Sequence, residues 1–280
     1  MNHKPETGNQ VVITSLFTIL LLLLAPSAAL PGVINTKIDL SCAVDKKNDI
    51  AVHAKIANKG NSTAYRVTLS LFMEDWAQKF DNLGDNPPDG MLKFNEKISL
   101  PELKPGLHIL VARVSFEEQN GTSHRIYEYS SFSYKTDGIS KEQQELSLEL
   151  KPPVFSTRAL WEKKKEMIIY LNNPHDYPVA PRVSFFLPDG YTAEESTVTK
   201  EISPNKNITE NVAVEKDKSI NLGGKILAIA WYEKDGIIYS VKSEGMAGVE
   251  EKPVLFKWYV LFSVIILIAV TILKIVRRKS

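Results

Sequence analysis

Cysteine is nearly missing from this chain. One residue, Cys42, in 280 leaves no intrachain disulfide framework and no thiolate metal cage. A surplus of one charge is missing too. The 34 Lys and Arg against 33 Asp and Glu give a formal +1, which speaks against a nucleic-acid-binding protein. No His-x-His, His-x-x-x-His or Cys-x-x-Cys pair occurs, so neither a zinc site nor an activated thiol is signalled. Gly-x-Ser-x-Gly, a phosphate loop and a dinucleotide fingerprint are also absent. What is present is ordinary for a folded chain, at 44% hydrophobic and 24% charged residues, which excludes wholesale disorder.

The apolar residues crowd toward both ends. Val11 to Ala25 is apolar except for Thr14, Ser15 and Thr18, and Pro26-Ser27-Ala28-Ala29 follows. An apolar run of that length, then a helix breaker and small residues, is the layout of a secretory signal cleaved after Ala29. An uncleaved anchor is the rival reading. From Trp258 to Leu273 only Ser263 and Thr271 are polar, and Lys274, Arg277, Arg278 and Lys279 close the segment. With Val254, Leu255 and Phe256 included, it is long enough for a hydrocarbon core of about 30 Å. Trp258 and Tyr259 stand where an interfacial belt belongs, and the basic cluster marks the cytoplasmic side. The expected organisation is a signal peptide (1–29), a first sandwich (30–136), a linker (137–144), a second sandwich (145–245), a tether (246–253), a transmembrane helix (254–276) and a cytoplasmic tail (277–280). The chain is thus expected in the cell membrane with type I topology, its domains outside the cytoplasm.

Between the ends, strand signals dominate. Ile38, Leu40, Cys42 and Val44 alternate with polar neighbours, as do Ile50, Val52, Ala54 and Ile56, and Val67, Leu69, Leu71 and Met73. Alternation at period two places one strand face in a core and the other in water. Further strands are expected at Leu92–Ile98, Leu107–Phe116 and Arg125–Tyr134. After the linker they are expected at Leu146–Leu150, Met167–Leu171, Val179–Leu187, Val198–Ile202, Ile208–Val214, Ile226–Tyr232 and Ile237–Val241. Asn120-Gly121 and Asp235-Gly236 mark hairpins, since these residues tolerate positive φ. The expected fold class is all-β: two tandem antiparallel β-sandwiches, which the resemblance given below makes Ig-like, and one C-terminal transmembrane helix.

The second half reads as a diverged copy of the first. Asn58 and Asn173 each precede a Tyr/Pro-Arg-Val strand start, and Gly121 and Gly236 occupy equivalent hairpins; both pairs are 115 residues apart. The run Ile56-Ala57-Asn58-Lys59-Gly60-Asn61-Ser62-Thr63-Ala64-Tyr65-Arg66-Val67 resembles the motif of the cell-adhesion-related (CARDB-type) domain of bacteria and archaea. Leu103-Lys104-Pro105-Gly106 resembles the Pro-Gly turn of that family. Leu187-Pro188-Asp189-Gly190-Tyr191 and Ile202-Ser203-Pro204-Asn205 are similar to related bacterial and archaeal Ig-like domains. The pattern departs at Asn173-Pro174, where the expected Gly is missing. The resemblance implies an extracellular Ig-like module, often in tandem, without an established common ligand and without catalytic residues to transfer.

Single residues invite sharper readings, each set against a plain one. Cys42 shares the phase of Ile38, Leu40 and Val44 and is expected in the core; Asp39-Leu40-Ser41 is no lipobox. The stretch Asp81–Gly90 has carboxylates that calcium could use, but its spacing is not that of an EF-hand and its composition is that of an exposed loop. Asn61, Asn120 and Asn207 head Asn-x-Ser/Thr sequons, as many as chance supplies, and are acceptors only in a host that glycosylates exported proteins. Lys163-Lys164-Lys165 lies between Glu162 and Glu166, which cancel its field. Trp76, Phe80 and Trp161 could form a binding patch; burial in a core is the favoured alternative.

The expected protein is therefore a membrane-anchored extracytoplasmic binding or scaffold module. It has no catalytic residues, no cofactor and no metal, and its partner is a protein or an envelope polymer. An accessory subunit of an export, glycosylation or transport complex is the alternative. A hydrolase with a converged site would need His53, His108 or His175 beside a carboxylate in a cleft.

Overall fold

Alternating apolar residues become paired strands almost wherever they occur. The computed structural model describes residues 33–100, 102–136, 146–156, 164–217, 223–250, 262–263 and 265–266. The expected signal segment, linker and tail, together with Trp161 and Lys163, lie outside the described residues. Of the expected span, residues 262, 263, 265 and 266 are described and are helical. No helix among the described residues is long and apolar enough to cross a membrane.

The first lobe is built from β1 (Thr36–Val44), β2 (Ile50–Asn58), β3 (Ala64–Met73), β4 (Trp76–Asn86), β5 (Met91–Ile98), β6 (Gly106–Glu117) and β7 (Ser123–Tyr134). The second holds β8 (Ser147–Lys151), β9 (Val154–Ser156), β10 (Lys164–Asn173), β11 (Arg182–Phe186), β12 (Tyr191–Ala193), β13 (Thr197–Thr199), β14 (Lys206–Lys216), β15 (Gly224–Lys234) and β16 (Ile237–Glu250). In the first lobe a sheet ordered β1-β2-β5 faces β4-β3-β6-β7; in the second, β8-β10-β14-β12 faces β13-β11-β15-β16. Apart from β12, which the second lobe adds at a sheet edge, the two orders correspond, so the repeat seen in two 115-residue offsets extends to most of the topology. Each lobe has its own core. Val52, Ile56, Leu69, Leu71, Leu110 and Val114 are among the side chains filling the first, and Met167, Ile169, Val183, Val214, Ile226 and Ala228 among those filling the second.

The repeat also survives in one buried side chain per lobe. Asn58 accepts the Gly60 N–H at 3.0 Å and donates to Ser62 O at 2.7 Å and Asn86 O at 2.9 Å. Asn173 accepts the His175 N–H at 3.0 Å and donates to Tyr177 O at 2.8 Å and Ile202 O at 3.1 Å. Both are fully buried. The Asn closes its own turn and ties that turn to a distant chain segment, which explains why Asn is kept where the Gly of the first turn is lost.

Three stretches depart from the sequence reading. Asp81–Asn86, expected in a loop, belongs to β4, an edge strand that bulges against β3 between Ala64 and Leu69, with positive φ at Asn82 and Gly84. β16 continues to Glu250, through most of the expected tether, pairing with β15 and then with β9. Finally, β6 and β15 are covered on both faces. Leu110, Ala112 and Val114 enter the first core, while Ile109 and Val111 face the other way. Ile226, Ala228 and Ala230 enter the second core, while Leu227 and Ile229 face the other way. Ile109, Val111, Leu227 and Ile229 meet one another, with Phe72, Tyr127, Tyr129 and Phe186 around them. This third cluster is the seam between the lobes.

Candidate functional site at the seam between the lobes

A backbone contact aligns the seam. The Ile238 N–H donates to Pro105 O at 2.8 Å, and Ile238 and Gly106 form the parallel bridge that joins β16 to β6. Gly106 has φ +140°, and a Cβ there would collide with the Ile238 carbonyl. The Pro-Gly turn expected from sequence is thus the point where the second lobe docks.

Apolar burial holds the two faces together. Val111 and Leu227 are each 1% exposed, and burying such a side chain is worth about 1.5–3 kcal/mol. Phe72 and Tyr127 pack on Phe186 with ring centroids 5.6 and 5.5 Å apart. Polar links edge the cluster. Lys104 pairs with Glu233 at 2.7 Å, Lys225 with Glu128 at 3.7 Å, Arg182 with Asp75, and the Lys242 ammonium donates to the Tyr129 hydroxyl. Half-exposed pairs of this kind contribute about 0–1 kcal/mol each, so they set register more than affinity.

Two histidines sit at this seam. His108 is buried and stacked on Phe132; its Nε2 meets the Lys104 carbonyl at 2.9 Å and its Nδ1 meets Glu74 Oε1 at 3.1 Å. A carbonyl only accepts, so Nε2 donates to Lys104 O, while Nδ1 faces the Glu74 carboxylate. Both ring nitrogens are thus engaged within the first lobe. His124 stacks on Phe116 and places Nδ1 2.7 Å from Asp189 and Nε2 3.0 Å from Glu118. The Asp189 carboxylate, with Glu118 behind it, raises the His124 pKa against the opposing effect of burial.

Open space follows the same seam. A cavity of about 440 Å³ lies among Trp76, Trp231, His108, Glu74, Lys104 and Glu233, and no Ser, Thr or Cys lines it. A second, of about 460 Å³, has Arg113, Arg125 and Tyr127 on one side and Ser184 and Thr197 on the other, with Glu74, Asp75 and Trp76 shared between the two cavities. The His-carboxylate pairing that hydrolysis would need occurs at His108, but no nucleophile stands beside it in that cavity.

The other singled-out residues lie apart. His53 is exposed on β2 and bonds Asn95 at 2.8 Å. His175 stacks on Tyr177, meets the Tyr232 hydroxyl at 2.9 Å, and has its pKa pushed down by burial. Cys42 is half-buried on β1 in the expected phase; burial pushes its thiol pKa up, and Sγ points at Ser130 O at 3.8 Å. Asn61, Asn120 and Asn207 are exposed, in the β2–β3 loop, at the β6–β7 hairpin and in β14 respectively. Lys164 pairs with Glu194 at 2.8 Å. Trp76 is half-buried at the seam, and Phe80 packs on Phe94 at 4.7 Å. Among the described residues, no group of three or more His, Cys, Asp or Glu is placed to hold a metal ion.

Arg113, Arg125, Glu74 and Trp231 escaped the sequence reading. For Arg113 on β6 and Trp231 on β15 the signal was the lack of alternation in Ile109–Ala112 and Ile226–Ala230; Arg125 on β7 and Glu74 between β3 and β4 had none. Continuous apolar runs ask for cover on both faces, so the nominally outward residues of the same strands are partly enclosed.

No protein-family model matches the sequence. No curated protein matches it either. Among solved structures, red sea bream transglutaminase is 11% identical over 89% of this chain and 34% of its own, with a TM-score of 0.25. The native conformation of Escherichia coli alpha-2-macroglobulin is 8% identical over 79% of this chain and 17% of its own, at 0.30. A protein of unknown function from Porphyromonas gingivalis W83 is 13% identical over 77% of this chain and 99% of its own, at 0.28. The chain spans about a third of the transglutaminase and under a fifth of the macroglobulin. At these scores and identities nothing is carried over from them.

Proposed function

We propose that this chain is a membrane-anchored binding or scaffold protein that presents two Ig-like sandwiches outside the cytoplasm as one rigid body, without catalysis of its own. The supporting observation is the seam. Two lobes with largely the same strand order are fused through an apolar cluster and a backbone bridge, an arrangement that fixes the spacing and orientation of whatever the lobes hold. The apolar segments near both termini supply the export signal and the anchor, and the CARDB-type resemblance of the Asn58 turn fits an extracellular module. Binding then falls to loops, sheet edges or the seam cavities.

The test has two arms. Protease added to sealed native membranes should degrade the lobes, and cytoplasmic loading of the protease should spare them; the reverse result sinks the topology. In the second arm, tagged full-length protein is recovered from its membrane in mild detergent beside the 30–253 fragment. An envelope component retained by both supports the scaffold reading. A stoichiometric membrane partner seen only with the full chain replaces it with the accessory-subunit reading.

A further inference from the structure

Arg113 is a half-buried cation without a counter-ion. Its Nη2 reaches only the Ser70 hydroxyl, at a long 3.4 Å, and its guanidinium lies 4.9 Å over the Phe72 ring. No carboxylate among the described residues pairs with it, and its Nε is buried without an acceptor. Every other charged group on that cavity has a polar partner. Arg125 donates from Nη2 to Tyr191 O at 2.8 Å and has Asp189 at 3.9 Å from its Nε, which itself lacks a hydrogen-bond acceptor; Asp75 is met by Arg182, and Glu74 hydrogen-bonds His108.

Strand register brings the two arginines together. Arg113 lies opposite Tyr127, and Arg125 opposite Ser115, two residues along the same face of β6 and β7. They are therefore diagonal neighbours. Both line the cavity of about 460 Å³, a volume within the range of small-molecule sites, about 300–1,000 Å³. Across from them, Ser184 and Thr197 present hydroxyls 3.4 Å apart, and Trp76 lends a flat aromatic wall.

We infer that this cavity binds an acidic sugar, a single carboxylated and polyhydroxylated ring, whose carboxylate neutralises Arg113. Each part of the wall selects for that chemistry. A guanidinium offers a planar fork that matches a carboxylate. Ser184 and Thr197 can each donate to and accept from ring hydroxyls. Trp76 suits the apolar face of a ring. Glu74 and Asp75 keep lone pairs for sugar hydroxyls while their charge opposes a second negative group, which disfavours phosphate dianions. The inference deepens the binding reading above by naming the kind of envelope component held.

The experiment uses the full-length chain in detergent, titrated with D-galacturonate, D-galactose and inorganic phosphate and followed by ligand-observed NMR. Galacturonate is expected to saturate, with galactose and phosphate at least about tenfold weaker, because the charge-assisted fork carries the recognition. Arg113→Gln should weaken galacturonate by at least about tenfold, and Arg113→Lys less, since the charge stays while the fork is lost. Thr197→Val, on the opposite wall, should weaken it independently and guards against misfolding of the Arg113 variants. Equal binding of galactose, tighter binding of phosphate, an Arg113→Gln protein that folds and binds unchanged, or no saturation of the wild type by about 50 mM overturns the inference. Binding in detergent is read whichever side of the membrane the lobes occupy, so its failure is distinguishable from failure of the protease test.

Discussion

His124 Nδ1 and a carboxylate oxygen of Asp189 meet 2.7 Å apart, one from each lobe. Asp189, then Glu118, holds the imidazolium and raises the His124 pKa above its usual 6.5. A raised folded pKa means that this contribution is fully present below the unfolded pKa and is lost as pH climbs through the folded one. The stability difference between wild type and His124→Gln should therefore be largest below about pH 6.5 and shrink as the pH rises above it. His175 has the opposite sign, because burial lowers its pKa; its contribution is present above about pH 6.5 and is lost on acidification. NMR titration of the ring protons checks both. A midpoint for His124 below that of His175 contradicts the assignment.

Removing the buried turn asparagines should be costly out of proportion to their size. Asn58→Ala leaves the Gly60 N–H and the Ser62 and Asn86 carbonyls without their partner. Each buried orphan costs about 1–3 kcal/mol, so a loss of about 2–4 kcal/mol is expected, and the same for Asn173→Ala. Asn120→Ala, on an exposed hairpin, should stay within about 0.5 kcal/mol. Denaturant midpoints at constant m-value are the measurement.

Two glycines with positive φ should respond differently to alanine. At Gly121, φ is +84° and nothing lies within 4 Å of an added Cβ, so Gly121→Ala should cost about 1 kcal/mol of backbone strain. Gly106→Ala adds a collision with Ile238, and a loss of at least about 2 kcal/mol is expected. Hydrogen exchange should show the Ile238 N–H, bonded to Pro105 O, losing protection in Gly106→Ala while the two cores keep theirs. Equal loss throughout would mean that the seam is no separate unit.

Leu227→Ala should cost about 2–5 kcal/mol by opening a hole in the third cluster. Lys104→Ala removes only the pair to Glu233 and should cost under about 1 kcal/mol. Thermal unfolding of both variants gives the comparison; a larger effect for Lys104→Ala would put the seam's energy in its ion pairs.

Strands with one wet face were legible from alternation alone. β1 and β2 follow Ile38-Leu40-Cys42-Val44 and Ile50-Val52-Ala54-Ile56 residue by residue. β4 was not legible, because Asp81-Asn82-Leu83-Gly84-Asp85-Asn86 is a bulged edge in which only Leu83 and Asn86 turn inward, without a period-two pattern, and whose composition mimics a loop. The seam stayed hidden for another reason. Period-two reasoning assigns Arg113 and Arg125 to solvent, and only the second lobe, brought over that face by β16, turns solvent into a cavity wall. Asn58 and Asn173 were visible as a repeat, but their shared hydrogen bonds belong to chain segments about 30 residues further on, which spacing cannot foresee.

β16 has a mechanical consequence. It pairs with β15 from Ile237 to Ala247 and then with β9 from Gly248 to Glu250. Its C-terminal end is where the chain heads toward the proposed anchor. Tension along the strand axis would therefore load these ladders in shear, many hydrogen bonds at once, instead of peeling them one by one. The second lobe is then the force-bearing link, and the first lobe, docked through Gly106 near the opposite end of β16, is shielded from the pull.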